Sequence, residues 1–345
     1  MITISLCMIV KNEERVLARC LDSLIGLMDE IIIVDTGSTD KTKEIAKKYT
    51  DKVYDFAWVD DFSAARNFSF SKATMDYIYV ADADEVLDEE NRAEFQKIKE
   101  AMLPEVEIVQ MYYANQKSFN TVYNFDKEYR PKLYKRLRNF LWVDPIHESV
   151  NLEPIVFDSD IVINHMPESN HANRDLSVFE KMVAKGQRLS KKMHNLYARE
   201  LMIAGTEEEM QRAEECFLQT MSDTDRDMDE IKEAAVVLSH IYRIKQNTEM
   251  FFKYVMKDIV TEPSSEACYE LGEFYLERGD FTEASNWYQN AMEGAYPILN
   301  IKYGDELPKK ALVSCYEKIV EQLRKVGDYD GAKQYEDAIQ SLLEE

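Results

Sequence analysis

Apolar residues in the N-terminal half alternate between two periods. Thr3 to Val10 is a nearly unbroken apolar run, as in a strand buried on both faces, and it stops at Lys11-Asn12-Glu13-Glu14. Val16, Leu17, Cys20, Leu21, Leu24 and Leu27 then recur at helical spacing. A second strand is expected over Glu30 to Val34, ending at Asp35-Thr36-Gly37-Ser38-Thr39-Asp40. A helix over about Lys41 to Tyr49, a short strand at Val53 to Phe56 and a helix near Ser63 to Ala73 follow. They lead to the apolar run Tyr77-Ile78-Tyr79-Val80-Ala81, which Asp82-Ala83-Asp84-Glu85 closes. The next helix is expected from about Asp88 to Ala101, with Asp84 or Asp88 as its cap. Glu107 to Tyr113 and Asn120 to Phe125 alternate as strands do.

Strand and helix in turn, with acids and small residues at the strand ends, predict an α/β domain built on a mostly parallel sheet. Ligands of such sheets bind outside the carboxyl ends of the strands, where Asp35, Asp40, Asp82 and Asp84 would gather. Residues two apart in a strand point the same way, so Asp82 and Asp84 would offer two oxygens to one side. Such a pair suits Mg2+ or Mn2+, which keep positions open for water and phosphate. Asp40 has a plainer reading as a helix cap, and Gly37 as a turn residue. No GxGxxG and no GxxxxGK[ST] occurs, so bound phosphates would fall to a metal and an arginine, for which Arg66 is the candidate.

From about Asn170 the strand signal stops and a helical repeat of about 34 residues sets in. Leu271, Gly272, Tyr275, Ala284, Tyr288 and Ala291 mark its clearest copy, with Gly279-Asp280 at the turn. Leu238, Ser239, Tyr242 and Phe251 mark the copy before it, closed by Pro263, and Tyr197, Ala213 and Phe217 a weaker one. A last copy (Gly327-Asp328-Tyr329, Ala332, Tyr335) is displaced by an insertion around Tyr296 to Pro308. This resembles a tetratricopeptide array, whose tyrosines and alanines would pack between helix pairs. The expected division is 1–168 for the sheet domain, 169–192 for a linker helix and 193–345 for the all-α repeats. The array's role stays open between holding an acceptor and pairing two copies as a homodimer.

Composition narrows the partners. A formal charge of −23 excludes the basic stripe a nucleic-acid binder needs. No run reaches the roughly 18 apolar residues of a membrane span. The first residues read as a strand and not as a signal peptide. Five scattered cysteines without CxxC spacing suggest neither zinc nor a disulfide framework and fit a reduced, cytoplasmic protein. The basic cluster Lys127, Arg130, Lys132, Lys135, Arg136 and Arg138 reads first as a solvated strand face, and second as an attractor for a diphosphate or an acidic acceptor.

Four motifs in order carry a resemblance: Cys7-Met8-Ile9-Val10-Lys11-Asn12-Glu13-Glu14, Val34-Asp35-Thr36-Gly37-Ser38-Thr39-Asp40, Ala65-Arg66-Asn67 and Asp82-Ala83-Asp84-Glu85. Together they resemble a family 2 glycosyltransferase of the GT-A fold (Rossmann-like). The resemblance implies a nucleotide-sugar donor, commonly a UDP-sugar, a peptide, protein or glycan acceptor, and Mn2+ or Mg2+. It implies that Val10, Asn12, Glu13, Asp35, Arg66 and Asp82 hold the donor and that Asp84 and His147 hold the metal. Glu148, in Trp142-Val143-Asp144-Pro145-Ile146-His147-Glu148, is expected as the general base of an inverting transfer, although the acidic ED pair common in the family is absent. Two other classes compete. A sugar-nucleotide pyrophosphorylase would need a glycine-rich basic loop where Lys11-Asn12-Glu13-Glu14 stands, and a non-catalytic repeat scaffold would have no use for the acids at the strand ends.

Overall fold

A computed structural model describes residues 1–115, 128–166 and 172–344, without the side chains of Asn115 and of residues 172–175. The expected strand at Asn120 to Phe125 and the basic residue Lys127 lie outside the described residues. The chain divides into two compact units, Met1–His171 and Ala172–Glu345.

In the first unit the apolar runs become β1 (Ile4–Val10), β2 (Glu30–Asp35), β3 (Val53–Asp55) and β4 (Tyr77–Val80). Helices α1 (Leu17–Leu24), α2 (Thr42–Ala46) and α3 (Phe62–Phe70) connect them. The two-residue β5 (Glu85–Val86) and α4 (Glu89–Ala101) come next. Asp88 caps α4, accepting from the Asn91 N–H at 2.9 Å, so of the two expected candidates Asp88 is the cap. Five more described strands follow: β6 (Ile108–Asn115), β7 (Glu128–Lys135) and β10 (Val156–His165) in the main sheet, and the pair β8 (Trp142–Val143) and β9 (Ser149–Val150) beside it. Helices α2 and α3 are each shorter than their apolar spacing suggested, since turns take over after Ala46 and Phe70.

The eight-stranded sheet runs β3-β2-β1-β4-β7-β6-β10-β5. Strands β1 to β4 are mutually parallel, β7 runs against β4 and β6, β10 is parallel to β6, and β5 is antiparallel to β10. From β1 the chain first winds outward through β2 and β3, then returns to place β4 on the other flank of β1. That reversal leaves a crevice at the carboxyl ends of β1 and β4, where an open α/β sheet takes its ligand. Ile4, Leu6, Met8 and Val10 of β1 are buried against Leu17, Leu21 and Leu24 of α1, as both periods required.

The second unit contains only helices: α5 (Ala172–Ala184), α6 (Lys191–Ala204), α7 (Glu207–Ser222), α8 (Met228–Ile244), α9 (Thr248–Ile259), α10 (Ser265–Leu276), α11 (Phe281–Glu293), α12 (Glu306–Val326) and α13 (Tyr329–Glu344). The linker expected as one helix over 169–192 is broken. Helix α5 stops at Ala184, Gly186 takes φ +71°, and Ser190 caps α6 through the Met193 N–H. The repeat positions are core, as expected: Tyr197, Ala213, Phe217, Leu238, Ser239, Phe251, Leu271, Ala284, Tyr288 and Ala291 are all buried. The displaced last copy has a cause. Buried Glu266 accepts the N–H groups of Ile298, Leu299 and Asn300 at 3.0, 2.7 and 2.9 Å, fixing the insertion between α11 and α12 to α10. No helix among the described residues is long and apolar enough to cross a membrane.

Two predictions concern this unit. A Cβ on Gly272 would lie 2.5 Å from the Tyr288 ring, so Gly272→Ala forces α10 and α11 apart. It should cost about 1 to 3 kcal/mol in urea unfolding, and an unchanged midpoint would refute that packing. Buried Glu270 accepts from His240 and Arg243 at 2.7 Å each. Burial raises its pKa, but the two cations outweigh burial and bring it to about 2. A carboxyl depressed in this way stabilises the fold above its unfolded pKa, and the contribution fades as pH falls toward about 2. Arg243→Met should therefore destabilise by about 3 to 5 kcal/mol at neutral pH. The deficit should shrink in acid, and a deficit independent of pH would contradict the assignment.

Candidate active site

The tips after β1 and β2 are zipped together by side chains. Asn12, at φ +58°, donates its N–H to Ser38 Oγ at 2.9 Å and accepts the Thr39 N–H on Oδ1 at 2.8 Å. The Glu13 N–H donates to Thr42 Oγ1 at 2.7 Å, and the Glu14 N–H to Asp40 Oδ2 at 3.1 Å. Asp40 also accepts the Thr42 N–H at 2.9 Å, so it ties the rim to the first residue of α2, although Lys41 and not Asp40 is that helix's N-cap. Val10 closes β1 and accepts the Thr36 N–H through its carbonyl.

Asp35 has a structural use that its position at the end of β2 did not reveal. Its Oδ1 accepts the Gly37 and Ser38 N–H groups at 3.0 and 2.9 Å, closing a turn in which Gly37 takes φ +107°. Its Oδ2 is buried and has no hydrogen-bond partner among the described residues, although Asp35 is only 2 % exposed. A carboxylate oxygen in that state can accept a further hydrogen bond.

Arg66 is the centre of the arrangement. It projects from α3, whose first turn is capped by Asp61 through the Ala64 N–H at 3.0 Å. Its Nε pairs with Glu148, its Nη2 lies 3.3 Å from Asp82 Oδ1, and its guanidinium sits 5.2 Å over the Trp142 ring. Arg66 and Glu148 are 14 % and 12 % exposed, whereas Asp82 is 47 % exposed at the rim. Burial opposes the Asp82 charge, but Arg66, Lys132 and Arg130 outweigh it and hold the carboxyl well below its usual range. Burial likewise opposes the Arg66 charge, and Glu148 and Asp82 reverse the effect.

Asp82 and Asp84 are not arranged by strand alternation, because β4 ends at Val80 and the chain turns before β5. Asp82 reaches Arg66, while Asp84 Oδ2 lies 3.1 Å from Nε2 of His165 at the end of β10. His165 was not among the expected metal ligands. No local pattern marks it, since β5 and β10 pair only across the far edge of the sheet, with Glu85 opposite His165. His147, the expected imidazole, stands in the left-handed region (φ +48°) next to Glu148, in the turn between β8 and β9.

The basic cluster on β7 is not a solvated face. Lys132 is buried 2.5 Å from buried Glu85, and Arg130 lies 3.8 Å over the Tyr113 ring, which the His165 ring meets at 4.9 Å. Lys135 donates to the Pro104 carbonyl, and Arg138 pairs with Glu107 at 2.8 Å. Burial pushes the Glu85 carboxyl up; Lys132 opposes the shift, and the Asp82 and Asp84 charges add to it. Among the described residues no group of three or more His, Cys, Asp or Glu is placed to hold a metal by itself, so the protein's share of a metal shell there would be at most a pair such as Asp84 and His165.

Residues 5–151 match the family model described as glycosyl transferase family 2. A TPR repeat-containing protein of Synechococcus elongatus is 51 % identical over 87 residues, covering 25 % of this chain and 22 % of the relative. The SPbeta prophage-derived glycosyltransferase SunS of Bacillus subtilis is 29 % identical over 167 residues, covering 47 % of this chain and 37 % of the relative. The chain thus spans well under half the length of these curated relatives. A crystal structure of S. aureus TarS 1–349 aligns at 15 % identity with a TM-score of 0.41, over 85 % of this chain and 92 % of that one. With the family match lying on the strands and tips described above, the first unit is a glycosyl transferase family 2 domain, followed in the same chain by a helical unit with the tetratricopeptide pattern.

Proposed function

We propose that this chain transfers a sugar from a nucleotide-sugar donor, a UDP-sugar in the first instance, to a peptide, protein or glycan acceptor, with inversion at the anomeric carbon. The observation that carries this reading is the convergence of Asp35, Arg66, Asp82 and Asp84 at the reversal between β1 and β4, with one Asp35 oxygen buried and unpartnered. In the reaction the bond from the anomeric carbon to the diphosphate oxygen breaks, the acceptor atom bonds to that carbon, and the acceptor's proton passes to water. Negative charge then grows on the departing diphosphate, and Arg66, a permanent cation in a poorly hydrated place, is set to stabilise it.

Asp35 Oδ2 would accept from the base or ribose, Asp82 would meet the ribose or diphosphate, and the zipped rim at Val10, Asn12 and Glu13 would shape the nucleotide's seat. Asp84 and His165 present one oxygen and one nitrogen 3.1 Å apart, a donor set that suits Mn2+ and accepts Mg2+ when a diphosphate and water complete the shell. They would hold the cation, with His147 as a further candidate from the neighbouring turn. Such an ion supplies charge neutralisation to the leaving diphosphate. Glu148 is reassigned. Its carboxylate lies against Arg66 and orients the guanidinium, so we give it that orienting role in place of the general base expected of it.

Thermal unfolding with UDP, with and without Mn2+, tests the reading. Ligand at a hundredfold excess over Kd stabilises a folded protein by about 2.7 kcal/mol. The expected shift is lost with EDTA and in Asp84→Ala, and reduced in His165→Ala. A UDP shift indifferent to metal and to Asp84 would rule out the cation site, and no shift with any nucleotide would leave a scaffold. Arg66→Lys keeps the charge but loses the fork, and it should lower donor hydrolysis on the order of 10²-fold. Hydrolysis at the wild-type rate would remove Arg66 from the chemistry.

A further inference from the structure

The segment that carries His147 and Glu148 is tied to α3 through Pro145 and Trp142. Strands β8 and β9 are two residues each, pairing Trp142 with Val150 and Val143 with Ser149, too short for a hairpin to stand alone. Between them Asp144 (φ +73°) and His147 (φ +48°) both occupy the left-handed region, which the surroundings must enforce. Helix α3 supplies part of those surroundings. The Phe62 N–H donates to the Pro145 carbonyl at 2.8 Å, and Phe70 meets the Trp142 ring edge-on at 5.6 Å.

The two-way tie is Asn67. Its Nδ2 donates to the Trp142 carbonyl at 2.9 Å, and the Trp142 N–H donates back to its Oδ1 at 2.9 Å. This is the reciprocal exchange of a hydrogen-bonded antiparallel pair, with a side-chain amide standing in for the neighbouring strand. Asn67 follows Arg66 on the same helix, so the residue that fixes the segment and the residue that Glu148 engages move together.

We propose that Asn67 is a positioning residue: its amide fixes the Trp142–Glu148 segment on α3 and so places the Glu148 carboxylate that orients Arg66. The structural part stands on these contacts, and its kinetic consequence rests on the nucleotide-sugar reading above. Only an amide fits. An ionised aspartate would turn an oxygen without hydrogen toward the Trp142 carbonyl, whereas a protonated one donates and accepts as the amide does.

The test compares wild type with Asn67→Ala, Asn67→Asp, Glu148→Gln and the Asn67→Ala/Glu148→Gln double variant. Hydrogen exchange of amides 142–148 should rise about tenfold or more in both Asn67 variants while β1 and β4 keep wild-type protection. UDP affinity should stay within about twofold, and hydrolysis of the UDP-sugar that gives the largest thermal shift should fall about 10- to 100-fold. Adding Asn67→Ala to Glu148→Gln should cost less than about twofold more, since both act on one contact. Asn67→Asp should regain ground against wild type as pH falls toward about 5 and its carboxyl protonates. Unchanged exchange at 142–148 would overturn the positioning role whether or not the protein turns over any donor. Fully additive losses would overturn the route through Glu148. A wild type inert to every nucleotide sugar, with exchange raised in the variants, would refute the proposed function and still uphold the positioning.

Discussion

A guanidinium that is 14 % exposed needs partners from more than one direction, and Arg66 takes them from three parts of the chain: the tip after β4 through Asp82, the turn after β8 through Glu148, and the Trp142 face. Breaking any of these would leave a charge poorly solvated and poorly paired. The need to satisfy one buried cation therefore fixes how the helix before β4 meets the segment beyond β7. It also leaves that cation beside an acid at the rim, where a second anion can approach it without any residue having to enter from solvent.

Below this lies a second charged layer. Glu85 and Lys132 are buried under the Asp82–Asp84 turn, and Arg130, Tyr113 and His165 stack next to them. With Arg66, this lysine and arginine hold the half-exposed Asp82 carboxyl well below its usual range, so the rim acid stays an acceptor at any ordinary pH. The helical unit uses the same device for another end. There Glu266 and Glu270 are buried with backbone N–H groups and cations, and what they secure is the spacing of helices.

Strands β1 to β4 and β6, the first helices and the acids at the strand ends were legible in the sequence, because burial on one or both faces writes a period of its own, whereas β5 and β10 were not expected and β7 was expected only as a solvated face. The repeat positions were legible for the same reason, down to Gly272 under Tyr288. What escaped were partnerships across long stretches of chain. Arg66 meets Glu148, Asp84 meets His165, and Glu85 meets Lys132, each pair brought together by strand order and by no local pattern. Strand alternation was also applied one turn too far, past Val80 to Asp82 and Asp84. The lysines and arginines of β7 looked like a wet face because sequence cannot show that an acid waits on the strand's inner side.

The edge strand β5 has a temporal consequence. Its partner in the sheet is β10, so Glu85 and Val86 can join the sheet only after the chain has been made as far as His165. A ribosome that has released β1 to β4 has released the crevice at their carboxyl ends but not the imidazole that meets Asp84. Contacts so distant along the chain form late and slowly. A nascent chain would thus acquire its core first, and the Asp84–His165 pair only when the last strand of the unit threads in between β6 and β5.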